Sequence, residues 1–241
     1  MSRRALLAQT RAELTLTLRR GESVLLTLGI PLALLVFFSV VDVLPSPTEH
    51  AIDFLAPGVL ALAIMSTAMV NLAIATSFER QYGVLKRLGA TPLGRPTLLA
   101  AKTLAVLAVE ALQVVVLVAA ALLLGWDPSV QGTAVAAVVL GTIGFAGLGL
   151  FMAGRLRAEM TLAAANGLYL VLLLLGGMVF SLDELPEGLR RLAEALPSAA
   201  LAEAMNGALN AGASVPGKAW VVLVVWAVAA PVVAAATFRW D

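Results

Sequence analysis

The chain has 241 residues, of which 61% are hydrophobic and only 13% charged, with a mean hydropathy of +0.96. A soluble domain is about 25% charged, and one this apolar would expose large hydrophobic patches to water. An ordinary soluble domain, a disordered chain and a disulfide scaffold are therefore excluded, the last because cysteine is absent. Net charge of +1 leaves no clustered basic excess for nucleic acid. The single histidine, His50, removes most His-based catalysis and haem ligation. A polytopic all-α membrane protein remains.

In chain order, residues 1–23 come first, a basic segment carrying Arg3, Arg4, Arg11, Arg19 and Arg20. Leu7, Leu14 and Leu18 share a helical face that Arg11 interrupts, which predicts a segment lying at the membrane surface. Ser2-Arg3-Arg4 has the outline of a twin-arginine signal. However, Arg11, Glu13, Arg19 and Arg20 precede any apolar core, and no small-x-small cleavage site follows. Six apolar runs near the ~20 residues that cross a bilayer follow: 24–44, 54–78, 97–125, 132–154, 160–181 and 219–238. None alternates as a barrel strand does, so residues 24–241 read as one six-span transmembrane domain.

The loops give the direction. Segments on one side carry 12 Lys and Arg: five in the N-terminal segment, then Arg80, Lys86, Arg87, Arg95, Arg155, Arg157 and Arg239. The other side holds Arg190, Arg191 and Lys218, three in all. The positive-inside rule then predicts both termini in the cytoplasm.

The longest predicted cytoplasmic loop, 79–96, begins Glu79-Arg80-Gln81-Tyr82-Gly83-Val84-Leu85-Lys86-Arg87-Leu88 and continues through Gly89, Thr91 and Pro92. Leu85 and Leu88 fall on one face of a short helix, with Lys86 and Arg87 beside them. Gly89 can end that helix, and Pro92 prevents its resumption. The expectation is a short helix with an apolar edge and a charged rim, presented to a partner protein. Residues 89–96 also outline a Walker A loop, but Arg95-Pro96 stand where Lys and a hydroxyl residue belong, so the chain is expected to bind no nucleotide.

Residues 182–218 form the only long external stretch. Leu189, Leu192, Ala193 and Leu196 follow an amphipathic helical spacing. Pro197 is expected to break that helix and Ser198 to cap a second, carrying Leu201, Met205 and Ala208. Both are too short to span, so they are expected in the outer interface or as a re-entrant pair; a helix lying on lipid is the alternative. Within the spans, Lys102, Glu110 and Gln113 share one face of the third. An acidic residue at the middle of a span costs ~2.5–3.5 kcal/mol on insertion scales and should face the bundle or water. The stripe could line a pathway, or glue helices through Asn71 or Asn166. Gly141, Gly144, Gly147, Gly149 and Gly154 predict close packing of the fourth span, and Gly176-Gly177 a kink in the fifth.

The pattern E-R-x-x-G-x-L-K-R-L-x-x-T-P resembles the loop between the second and third spans of ABC-2 type transporter permeases, most closely the daunorubicin-resistance-like drug-export branch. Glu79, Arg80, Gly83, Leu85, Lys86, Arg87, Leu88, Thr91 and Pro92 match, while Gln81 and Tyr82 depart from the usual charged and small residues. The resemblance extends to the basic N-terminal segment, the six spans, the external segment and the Phe238-Arg239-Trp240 ending. It implies that the loop is a coupling helix docking on an ATP-binding cassette ATPase subunit. It further implies a permease subunit with no catalytic residue, cofactor or metal of its own, ATP and Mg being held by the partner. Its setting would be a bacterial cytoplasmic (inner) membrane, in a dimer with a second copy or a sister permease. The cargo implied is a hydrophobic or amphipathic drug, antibiotic or lipid, hence drug efflux and antibiotic resistance.

Other functions compete. Export of a polysaccharide or lipid-linked glycan would favour more aromatics than the 6% present. A proton-coupled secondary carrier could use Glu110, but predicts inverted repeats, and residues 24–125 and 132–238 share no convincing similarity. An intramembrane protease would need a membrane histidine or paired aspartates, whereas His50 falls in a loop and Asp42 has no evident partner.

Overall fold

The computed structural model describes residues 3–19, 21–41, 51–91, 93–179 and 181–239. His50, Asp42, Pro92 and Trp240 fall outside them, as does most of the predicted first external loop. The described residues form helices and contain no strand. α1 (Arg3–Arg19) is followed by α2 (Gly21–Val40), an apolar helix with Pro31 inside it. α3 (Ala51–Met65), a π-helical segment (Ser66–Asn71) and α4 (Leu72–Gln81) form one continuous rod. α5 (Val84–Gly89) is short, and α6 (Arg95–Leu123), α7 (Thr133–Arg155) and α8 (Ala158–Leu175) are long. α9 (Glu187–Ala193) and α10 (Pro197–Leu209) precede α11 (Gly217–Thr237).

Among the described residues, five helices are long and apolar enough to cross a membrane: the rod Ala51–Gln81, α6, α7, α8 and α11; α2 adds a shorter apolar stretch, Thr27–Val40. The rod's 31 residues and the 29 of α6 extend ~44–46 Å, well beyond a hydrocarbon core of ~30 Å. Both therefore reach into the interface at their ends.

The glycines of α7 explain the centre of the bundle, where α7 packs against α11, the π segment and α10. A Cβ on Gly147 would lie 2.5 Å from the backbone nitrogen of Pro231 in α11. One on Gly149 would lie 2.6 Å from the Met69 carbonyl oxygen in the π segment, and one on Gly141 2.9 Å from Leu201 in α10. Small residues let backbones approach on several sides of one helix, the usual basis of packing in lipid.

Gly176-Gly177 end α8 rather than kinking it. The helix stops at Leu175, and Gly177 takes φ +63 in a turn that side-chain-bearing residues rarely adopt. The short helices between α8 and α11 also differ from expectation. Pro197 opens α10 instead of merely ending its predecessor: it occupies the first turn after Leu196 as N-cap, where its missing N–H costs nothing. Ser198 consequently caps nothing; its Oγ is buried beside Gly176 without a partner among the described residues. Nearly all of α10 is buried against α3, α7 and α11, so it enters the bundle as a re-entrant element rather than lying on lipid. Its C-terminal carbonyls are satisfied from the loop before α7. Ser129 and Gln131 backbone N–H groups donate to Leu209 and Ala208 (2.8 and 2.9 Å), and the Gln131 side chain donates to Gly207 and Ala213. α9 stays at the surface, with Leu189 and Leu192 exposed and Ala193 buried.

α1 meets the bundle by its polar face rather than by its leucines. Leu7 and Leu18 are exposed, while Glu13 is buried against α6. The polar residues Gln9, Glu13 and Thr17, spaced i, i+4, i+8, face the bundle, while Leu7, Leu16 and Leu18 are left exposed and Leu14 half-buried.

Candidate functional site

The arginine-rich end of the bundle gathers most of the residues that the loop motif picks out. α4 runs to Gln81, with the Phe78 and Tyr82 rings stacked at 6.1 Å. Gly83 (φ +72) then reverses the chain into α5. Six residues cannot hold a helix in isolation, and α5 is held by Leu85, which is 0% exposed within the main core, and by half-buried Leu88. The apolar edge expected to face outward therefore faces inward. What α5 presents outward is Val84, Lys86 and Arg87, flanked by exposed Tyr82 (69%) before it and Thr91 after it. The Thr91 hydroxyl donates to the Leu88 carbonyl at 2.6 Å and closes the helix. Arg80 donates to the Leu156 carbonyl, and the Gln81 amide donates to Glu159 at 3.0 Å. The base of α5 is thus tied to the turn between α7 and α8.

Glu79 points the other way. Its Oε2 lies 2.6 Å from the Lys102 ammonium, which also meets Glu13 Oε2 of α1 at 2.8 Å. Lys102 is fully buried. One ammonium between two carboxylates thus joins α1, the end of α4 and the third span. A small cavity of about 40 Å³ beside it, with Thr17, Thr67 and Asn71 among a largely apolar lining, has space for about one or two waters.

The stripe Lys102, Glu110 and Gln113 is present on one face of α6, but its members serve different neighbours. Glu110 Oε2 accepts from the Thr142 hydroxyl of α7; its Oε1 is buried without a partner among the described residues. Gln113 Oε1 accepts from Thr67 (2.9 Å), and its Nε2 donates to the Thr27 carbonyl of α2 (2.8 Å). These are interhelical ties of the kind that polar groups make in lipid, with threonines in place of Asn71 and Asn166.

Asn71 and Asn166 instead meet around a groove of about 310 Å³ between α2, the π segment and α8. Ser66, Thr27 and Tyr169 complete its polar lining, with Ile30, Pro31 and Ile74 as apolar wall. Asn166 is exposed, its Nδ2 donating to Leu162 of its own helix. π segments in α-helices are frequent at functional sites; this one carries Ser66 and Asn71 into the groove.

The sequence pattern does not single out Glu13, Thr67, Thr142 or Tyr169. Only Glu13 had a signal: the i, i+4, i+8 run of polar residues in α1, opposite its leucines. Lone threonines in a span carry none.

Residues 4–210 match the family model described as ABC-2 type transporter. No curated protein matches the chain.

Proposed function

The chain belongs to the ABC-2 type transporter family, and from that premise we propose that it is the membrane permease of an exporter driven by a separate ATP-binding cassette subunit. α5 is read as the docking element on the cytoplasmic side. The observation that carries this reading is the exposed set Val84, Lys86 and Arg87 on a helix anchored from below by Leu85, with exposed Tyr82 just before it. Because Arg80, Gln81 and Glu79 tie its base to α7–α8, α6 and α1, a push on α5 would be passed to several helices at once. ATP and Mg are assigned to the partner.

The groove lined by Asn71, Asn166 and Tyr169 is the proposed half-pathway, closed by a second copy or a sister permease. Its mixed lining suits an amphipathic cargo such as a drug, antibiotic or lipid. Glu110 supports a proton-coupled carrier less well, since it lines neither this groove nor the cavity beside Lys102.

The test is co-purification and vesicle transport with the cognate ATPase. Lys86→Glu with Arg87→Glu is expected to lower association and ATP-driven transport at least ~10-fold, the scale of truncating an interface hot spot, with the melting temperature unchanged. Intact association and transport in that variant would refute α5 as the docking element.

A further inference from the structure

A second groove, of about 390 Å³, lies where α6, α7 and α11 meet. Leu99, Leu104 and Leu107 form one wall, Ile143 and Leu150 another, and Pro231 a third. Gly147, pressed against Pro231, forms the floor. The only hydroxyl in the lining, Thr103, donates to the Leu99 carbonyl of its own helix at 3.0 Å. The groove therefore offers a ligand no side-chain polar group to bond, and suits an alkyl chain.

Its mouth is different. Each of the three helices carries an exposed arginine at the same end: Arg95 is the first residue of α6, Arg155 the last of α7, and Arg239 lies just beyond α11. Pro96, next to Arg95, lines the groove. Gly154 packs against Phe238, where a Cβ would come within 2.7 Å of the ring, so the chain ends bearing Arg155 and Arg239 are brought together. Among the described residues none of these three arginines makes an ion pair, whereas Lys102, Arg190, Arg191 and Lys218 all do. α7 and α11 carry no carboxylate, and the only one in α6, Glu110, lies ~22 Å further along the helix.

We infer that this groove holds one acyl chain of an anionic phospholipid, whose headgroup is gathered by Arg95, Arg155 and Arg239. Basic clusters between transmembrane helices at the inner leaflet are suited to anionic headgroups. A second copy fits poorly, because a two-fold contact on this face would set the same arginines against one another. The inference needs only that the bundle sits in a bilayer with its arginine-rich end at the inner leaflet; it is independent of α5 and of any ATPase.

The purified full chain in detergent is mixed with phosphatidylglycerol or phosphatidylcholine of identical chains, and bound lipid is read by native mass spectrometry. Preference for phosphatidylglycerol of about tenfold is expected, the scale of a few headgroup–arginine contacts. In the triple variant Arg95→Gln, Arg155→Gln, Arg239→Gln that preference should vanish. Ala100→Trp, which fills the groove, should reduce retention of both lipids, and Thr103→Leu supplies a milder filling should the tryptophan variant fail to fold. Equal retention by the wild type, or a preference that survives in the triple variant, would overturn the inference. So would a filling variant that keeps its phosphatidylglycerol while losing self-association by light scattering, since a second copy would then be the occupant.

Discussion

Lys102 shows how unequal the members of a buried ion cluster are. Two carboxylates share one ammonium, so removing Glu13 leaves a balanced pair, while removing Lys102 leaves two buried like charges. Breaking a buried pair by deleting one partner costs about 3–5 kcal/mol, because the other charge is stranded. Lys102→Met is expected to fall in that range and Glu13→Gln to cost about 1 kcal/mol, the value of an ordinary hydrogen bond. Thermal melts in detergent would separate the two, and trypsin cleavage at Arg11 should accelerate in the lysine variant as α1 detaches. Equal losses from both substitutions would contradict the shared-ammonium geometry. Glu13 is also where sequence reading fell short. A periodic polar face was visible in α1, but nothing local says whether such a face meets water or a buried lysine 89 positions later.

At the scale of elements, glycines sort by what surrounds them. Gly149→Ala would press a methyl into the Met69 carbonyl, and Gly147→Ala into the Pro231 backbone. Overpacking against backbone costs about 1–3 kcal/mol, so each should lower the melting temperature. Gly167 in α8 has open space around it, and Gly167→Ala should be neutral or stabilising by up to ~1 kcal/mol, because alanine favours the helix. The contact between α9 and α11 gives a pH-dependent counterpart. Glu194, at the end of α9, accepts from Lys218 at the start of α11, and its carboxyl is held below the usual carboxylate range, chiefly by that hydrogen bond, with Arg190 adding to it. A carboxyl with a lowered folded pKa contributes stability above its unfolded value, about 4.3, and loses that contribution as pH falls through the folded value. The protection of α9 amides, measured as exchange relative to the intrinsic rate at each pH, should therefore be greater at pH 7 than below about pH 4, and Lys218→Gln should shrink the difference.

For the whole molecule, the spans and the charge asymmetry were legible because each depends on composition along one segment. Hydrophobic runs located the long helices, and the glycines of α7 announced its close contacts. Three things were not legible in that way. The inward turn of Leu85 depends on the core beneath α5. The entry of α10 without α9, where a pair was one expectation, depends on carbonyls capped from the loop before α7. The split of the polar stripe among Thr142, Thr67, Thr27 and the two glutamates depends on which helices stand opposite α6. In each case the deciding partner lies far along the chain, where local periodicity carries no information.

The contact between Glu13 and Lys102 also sets an order of events during synthesis. The carboxylate of α1 leaves the ribosome first, and its ammonium follows 89 residues later, about 4–18 s at common elongation rates. Through that interval α1 can rest only on the membrane surface, leucines toward lipid and its polar face uncovered. α1 is therefore made before the helix on which it docks and settles only once that helix has arrived. Its docking reports that the third span has arrived in the bilayer with the correct orientation.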